Sequence, residues 1–186
     1  MKTKIKKKMK TLNKKGAVIW LTGLSGSGKS TIADNLSEIL EKKGVLVQRL
    51  DGDIFRAHFC NKLSFNKEDR DFNIKMAAFT SSLLEKHGVL VIASFISPYK
   101  HQRDFVRNVS KNFIEVYVKA TLEICIKRDV KGLYKKAIAG EIKNFTGISD
   151  AYEIPEKPQL IIDTDNVNIS ESVEKTLNYL AKEKFI

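Results

Sequence analysis

Apolar positions along the chain fall into short unbroken runs separated by stretches with helical spacing. Residues Ala17–Thr22 are apolar up to the last position, too short for a helix and continuous enough for a strand buried on both faces. A glycine-rich turn follows at 23–28. From 29 to 43, Ile32, Leu36, Ile39 and Leu40 return to one helical face, and Gly44 is placed to stop that helix. Residues 45–50 read as a second strand ending at Asp51-Gly52-Asp53.

The alternation continues to the end of the chain. The pattern predicts a helix over 66–86, with Asn66 as its cap and Glu68 and Asp69 in its first turn. A strand over 89–95 comes next, then a basic helix opened by Pro98 and running to about residue 112. A strand over 113–118, a helix over Leu122–Arg128, a short strand over Leu160–Asp163 and an amphipathic helix capped by Ser170 complete the series. Strands alternating with helices predict an α/β fold, here a three-layer α/β/α arrangement with a mostly parallel five-stranded sheet. Residues 131–150 interrupt the rhythm. They are charged and carry Gly132, Gly140 and Gly147, a composition suited to a mobile lid rather than to a core element.

Composition changes this picture little. A chain of 186 residues fits one domain. No apolar run reaches the roughly 20 residues needed to span a bilayer. The net charge of +11 suggests a polyanion partner, but eight lysines lie within residues 1–15, and without them 25 basic residues face 22 acidic ones. The excess charge therefore belongs to a basic tail, which its composition predicts to be disordered, followed by a nearly neutral domain over 16–186. Nucleic-acid binding is disfavoured, because the tail lacks interleaved aromatic residues. Cys60 and Cys125 form no metal or redox motif and read as reduced thiols of a cytoplasmic protein.

The chemistry concentrates in 23–30, Gly-Leu-Ser-Gly-Ser-Gly-Lys-Ser. A Gly-x-x-x-x-Gly-Lys-Ser stretch between a strand and a helix is a phosphate-binding loop. Its backbone N–H groups and the helix N-terminus attract phosphate. Lys29 reaches the outer phosphates of a nucleoside triphosphate, and the Ser30 hydroxyl suits Mg²⁺. The loop alone leaves the acceptor open, since many enzyme classes share it. In an open α/β sheet, ligands lie beyond the carboxyl ends of the strands. Asp51, Asp53 and Arg56 follow one such end, and 95–99, Phe-Ile-Ser-Pro-Tyr, follow another. Either aspartate suits a metal or the proton of an attacking hydroxyl. Arg70 and Asn73 share a helical face and, with Arg56, form a clamp for an anionic acceptor.

These segments together resemble the adenylyl-sulfate kinase family. The likeness lies in residues 16–33, in Leu50-Asp51-Gly52-Asp53, in Asp69-Arg70 with Asn73-Ile74, and in Phe95-Ile96-Ser97-Pro98-Tyr99. It continues in 128–136, Arg-Asp-Val-Lys-Gly-Leu-Tyr-Lys-Lys, and in Phe145-Thr146-Gly147-Ile148. The resemblance implies a P-loop nucleotide kinase that phosphorylates the 3′-hydroxyl of adenosine 5′-phosphosulfate with ATP and Mg²⁺. It also implies a homodimer and a role in sulfate assimilation. By the same resemblance, Gly23, Leu24, Ser25, Gly26, Ser27, Gly28, Lys29, Ser30 and Thr31 hold ATP, with Arg128 at its base. Asp53, Arg56, Arg70, Asn73, Ile96, Ser97, Lys131 and Asn144 would meet the acceptor, and Phe65 and Phe145 would sandwich its adenine. Lys29, Asp53, Ser97 and Lys131 are the catalytic set. Ser97 is the family's position for a proposed phosphoserine intermediate, whereas physical reasoning gives it an orienting role, because in-line transfer needs only positioning and charge neutralisation. Three positions depart from the family pattern. Lys75-Met76 stands for Arg-Arg, and Asn144 stands where a glycine is common. Those departures motivate an alternative, a kinase of another nucleotide-like acceptor. A P-loop switch that binds nucleic acid through its tail is the lesser alternative, and a non-catalytic member is opposed by the intact Lys29, Ser30, Asp53 and Lys131.

Overall fold

A computed structural model describes residues 15–59, 64 and 66–186 of the chain; the basic tail to residue 14, Cys60 and Phe65 lie outside the described residues. Five strands form one sheet: β1 (Ala17–Thr22), β2 (Val47–Asp51), β3 (Leu90–Ser94), β4 (Phe113–Lys119) and β5 (Leu160–Asp163). All neighbours are parallel, in the order β2-β3-β1-β4-β5. Helices cross between them: α1 (Lys29–Lys42), α2 (Gly52–Phe59), α3 (Lys67–Lys86), α4 (Lys100–Val109), α5 (Leu122–Arg128), α6 (Leu133–Ile138) and α7 (Ile169–Lys182).

The unbroken apolar run of β1 is explained by its place at the centre of the sheet, where both faces are covered. Ile19 and Leu21 pack toward Ile32, Leu36 and Leu180 of α1 and α7. Val18 and Trp20 pack toward Ile74, Ala77 and Val106 of α3 and α4. The result is the expected three-layer α/β/α fold, with the carboxyl ends of all five strands along one rim.

Some boundaries differ from expectation. The last helix starts at Ile169, because Asn168 rather than Ser170 caps it. Asn168 Oδ1 accepts from the Glu171 N–H, and the Glu171 carboxylate accepts from the Asn168 N–H. The basic helix begins two residues after Pro98 and ends at Val109. Two short helices, α2 and α6, are additional. Residues 131–150 do contain a core element. Tyr134, Ala137 and Phe145 are buried with Ala120 and Cys125 in a small third cluster. The high charge of this stretch lies on its outer side and hides the few apolar residues beneath.

Candidate active site

The chain leaves β1 at Thr22 and turns through 23–28 into α1. Only glycine fits at position 23, where a Cβ would lie 2.4 Å from the Val118 carbonyl oxygen. Gly28 caps α1 in the left-handed region, at φ 95°. Three contacts pin the loop from outside. The Tyr134 hydroxyl donates to Ser25 O at 2.9 Å, the Thr164 hydroxyl donates to Ser27 O at 2.9 Å, and the Arg128 guanidinium donates to Gly26 O at 3.3 Å. Arg128 is also held by Thr164 O at 2.7 Å.

Lys29 is buried beneath this loop. Its Nζ donates to Leu24 O at 2.6 Å and lies 3.4 Å from Ser27 Oγ. Burial lowers its pKa to about 8, because a cation short of opposite charge is poorly solvated there. A phosphate at the loop would supply that missing charge. At the next residue, Ser30 Oγ donates to Asp51 Oδ2 at 2.9 Å. The same carboxylate accepts from Arg49 and Ser94, both at 3.0 Å, and its Oδ1 accepts from the Asp53 N–H at 3.0 Å. Partial burial works to raise the Asp51 pKa, but the Ser30, Asp53 and Ser94 hydrogen bonds and the Arg49 charge outweigh it and hold the group below its usual value. A hydroxyl and an ionised carboxylate oxygen are the donor types that Mg²⁺ takes beside phosphate, so Ser30 and Asp51 fit that ion.

The opposite wall is built from side chains of separate elements. Asp53, at the start of α2, is ion-paired with Lys131 from the segment just before α6. Arg56 Nη1 donates to Ser64 O at 2.9 Å. Arg70, buried on α3, donates to the Thr146 hydroxyl and the Asn144 carbonyl and lies 3.8 Å from Asp150. Asn73 is one turn further along. Its Oδ1 is buried and has no hydrogen-bond partner among the described residues, a vacancy that a ligand N–H or O–H would fill.

Ser97 is only 1% exposed and has a left-handed φ of 39°. Its hydroxyl accepts from Trp20 Nε1 and donates to Thr22 Oγ1, both at 3.0 Å. Thr22 in turn donates to Ile96 O at 2.7 Å and meets the Tyr152 hydroxyl at 2.9 Å. Behind this chain, Arg103 donates to Ser97 O at 2.8 Å and to Glu153 O at 2.6 Å, and pairs with Glu115 at 3.0 Å. The Ser97 side chain is thus tied into the scaffold, and Ile96 and Ser97 both line the cleft.

One cleft of about 840 Å³ joins the two halves. Its wall includes Ser25, Gly26, Gly28, Lys29, Ser30, Thr31 and Arg128 on one side, and Asp53, Arg56, Arg70, Asn73, Ile96, Ser97, Lys131 and Phe145 on the other. Gly23, Leu24, Ser27 and Asn144 are not part of the wall; the first three shape the loop from behind. Asn144 adopts φ 55°, a conformation that asparagine tolerates almost as glycine does, and its carbonyl holds Arg70. Phe145 is buried edge-on against Tyr134, at 5.0 Å between ring centres, despite its charged sequence neighbours. Lys75 and Met76 are exposed on the outside of α3 and do not line the cleft.

Sequence reading missed Trp20, Thr22, Arg103, Glu115 and Tyr152. One signal was present: Glu115 interrupts an otherwise apolar strand, and a carboxylate there needs a buried cation.

A phosphate loop facing a wall that carries Arg56, Arg70 and Lys131 across one cleft, at the carboxyl rim of a parallel sheet, is the arrangement of a P-loop kinase. The family model described as adenylylsulphate kinase matches residues 15–163, and the chain belongs to that family. It is 51% identical over 174 residues to an adenylyl-sulfate kinase of Halothermothrix orenii, covering 94% of each chain. It is 54% identical to a probable adenylyl-sulfate kinase of Pseudomonas aeruginosa, over 86% of this chain and 74% of the relative. Its fold superposes with a TM-score of 0.87 on the Mycobacterium tuberculosis APS kinase CysC in complex with AMPPNP and APS, at 37% identity over 90% of this chain and 99% of the other.

Proposed function

We propose that this chain transfers the terminal phosphoryl group of ATP to the 3′-hydroxyl of adenosine 5′-phosphosulfate, releasing ADP and 3′-phosphoadenylyl sulfate. The observation that carries this reading is the continuous cleft, which brings Lys29 and the phosphate loop into one space with Asp53, Arg70, Asn73 and Lys131. Family membership supplies the identity of the acceptor.

The residues divide the work by position. The loop N–H groups and Lys29 hold the β- and γ-phosphates and draw charge from the departing oxygen. Asp53 orients the 3′-hydroxyl and takes its proton as the O–P bond forms and the bond to ADP breaks. Lys131, paired with Asp53, exchanges that partner for the transferring phosphoryl group. Arg56 and Arg70 meet the phosphosulfate, and Asn73 Oδ1 accepts a hydrogen bond from the acceptor. Phe145 packs on the acceptor adenine, with Phe65 as its counterpart. Ser97 helps to orient the acceptor and forms no covalent intermediate. Ser30 and Asp51 are the residues that hold Mg²⁺, which neutralises phosphate charge when bound. Residues 131–150 act as a lid that excludes water. We read the enzyme as a cytoplasmic homodimer; among the described residues, no helix is long and apolar enough to cross a membrane.

The alternative of another nucleotide acceptor rested on positions 75, 76 and 144. The first two face away from the cleft, and the third keeps the left-handed backbone. The deciding measurement is ADP release with adenylyl sulfate against AMP and other nucleotides. Equal rates with all of them would sink this reading.

A further inference from the structure

Arg103 lies on α4, only 3% exposed and outside the wall of the cleft. All three nitrogens of its guanidinium have protein partners. Nη1 donates to Ser97 O at 2.8 Å, Nη2 donates to Glu153 O at 2.6 Å, and Nε pairs with Glu115 Oε1 at 3.0 Å. A rigid planar fork can serve three acceptors at once, which an ammonium on a flexible stem cannot match in geometry. Glu115, on the buried strand β4, needs a cation, but Arg107 also supplies one, at 2.7 Å. Charge compensation therefore accounts for one contact of Arg103 and leaves its two carbonyl partners unexplained.

Those carbonyls belong to two segments on which the acceptor side depends. Ile96 and Ser97 line the cleft, and Ser97 has φ 39°, a conformation that a serine keeps only where its surroundings enforce it. Glu153 ends the stretch 150–153, by which the chain leaves the lid. Asp150 in that stretch lies 3.8 Å from Arg70. The stretch is fastened along the Ser97 turn. The Tyr99 hydroxyl donates to Asp150 Oδ2 at 2.5 Å, the Glu153 N–H donates to Pro98 O at 2.8 Å, and the Lys100 N–H donates to the Glu153 carboxylate. Arg103 joins the two segments from the buried side, with its guanidinium 5.8 Å from the centre of the Tyr152 ring. We infer that Arg103 is a positioning residue of the acceptor site: it clasps the Ser97 turn to the exit of the lid and so sets the affinity for the acceptor without touching it. The identity of that acceptor rests on the kinase reading above; the clasp itself does not.

Three variants of the full chain test this, each assayed for melting temperature, for KM toward adenylyl sulfate and ATP, and for amide hydrogen exchange. Arg103→Met is expected to raise the KM for adenylyl sulfate at least about tenfold, while kcat and the KM for ATP stay within about threefold, the pattern of lost ground-state positioning. Arg103→Lys keeps the charge beside Glu115 but loses the fork. It should melt close to the wild type and still show most of the rise in KM, so the test survives if Arg103→Met fails to fold. Arg107→Met removes the other partner of Glu115, which contacts neither carbonyl. It should lower the melting temperature and leave the KM for adenylyl sulfate within about twofold. Exchange at 150–154 should quicken in Arg103→Lys and not in Arg107→Met. Full recovery of the KM by Arg103→Lys, or an equal rise in KM in Arg107→Met, overturns the proposal, as does unchanged exchange at 150–154 in Arg103→Lys. A wild type with no preference for adenylyl sulfate would overturn the kinase reading instead, and the exchange measurement would still decide the clasp.

Discussion

The two halves of the cleft are made in opposite ways. The donor half is one short loop whose binding groups are mostly backbone, shaped by glycine geometry and α1 and only steadied from outside by Tyr134, Thr164 and Arg128. The acceptor half is a set of side chains drawn from α2, α3, the turn after β3 and residues 131–150, kept in place by contacts between residues far apart in sequence. The first is a property of local chain shape; the second exists only when distant segments have met. A defect in the donor half should therefore disable chemistry outright, whereas defects in the acceptor half should be graded and specific to one substrate.

The largest effect is expected for Lys29→Met. Turnover should fall by at least about 10³-fold, as expected when a main source of phosphate charge stabilisation is lost. The ligand-free protein should nevertheless melt at a higher temperature, because a buried and poorly compensated cation has been removed. The sign follows from the lowered pKa of Lys29, about 8 against 10.5. Between those values the unfolded chain binds more protons than the folded one, so the ligand-free wild type gains stability as pH rises through that window. Melting curves across pH 7.5–10.5 should show that gain in the wild type beyond what Lys29→Met shows. Over the same range, the KM for ATP should climb as Lys29 loses its charge.

Arg70→Ala comes next. It removes the buried cation that ties Asn144, Thr146 and Asp150 to α3, and the expected loss in kcat/KM for adenylyl sulfate is about 10²-fold, in the range for truncating a buried charged partner. The KM for ATP should stay within about twofold, and parallel loss of both would erase the distinction between the two halves. Ser97→Ala is milder. It leaves the Trp20 N–H unsatisfied and should lower stability by about 1–2 kcal/mol, with turnover reduced about tenfold. Complete loss of activity in a folded Ser97→Ala variant would restore a covalent role for that hydroxyl. Smallest of all is Asn144→Gly, expected to change unfolding free energy by less than about 0.5 kcal/mol, whereas Asn144→Val should cost about 1–2 kcal/mol through its left-handed backbone. Chemical denaturation compares the pair directly.

That contrast also explains what could be read from the chain alone. Strand β1, the phosphate loop and α1 were legible because their signals are continuous in sequence. Asp53, Arg70 and Asn73 were legible as polar groups at a strand end and on one helical face, whereas Lys131 was legible only through family likeness, since no spacing rule joins residue 53 to residue 131. Trp20, Thr22 and Tyr152 were not legible at all. Their link to Ser97 spans 77, 75 and, through Thr22, 130 residues, and an apolar run gives no hint that its tryptophan donates a hydrogen bond. Residues 131–150 misled for a related reason, since three buried side chains suffice for a small cluster and leave the average composition polar.

The central position of β1 has a consequence for how the protein is born. Its two neighbours are β3, from Leu90, and β4, from Phe113, so the strand that presents the phosphate loop has no sheet partner until roughly the first half of the chain has left the ribosome. Parallel pairing over such separations makes for slow folding. The nascent loop, which precedes both partner strands, must wait beside an unpaired apolar segment that is prone to aggregation. The most recognisable part of this protein is therefore made before the strands that hold it and is able to work only after they arrive.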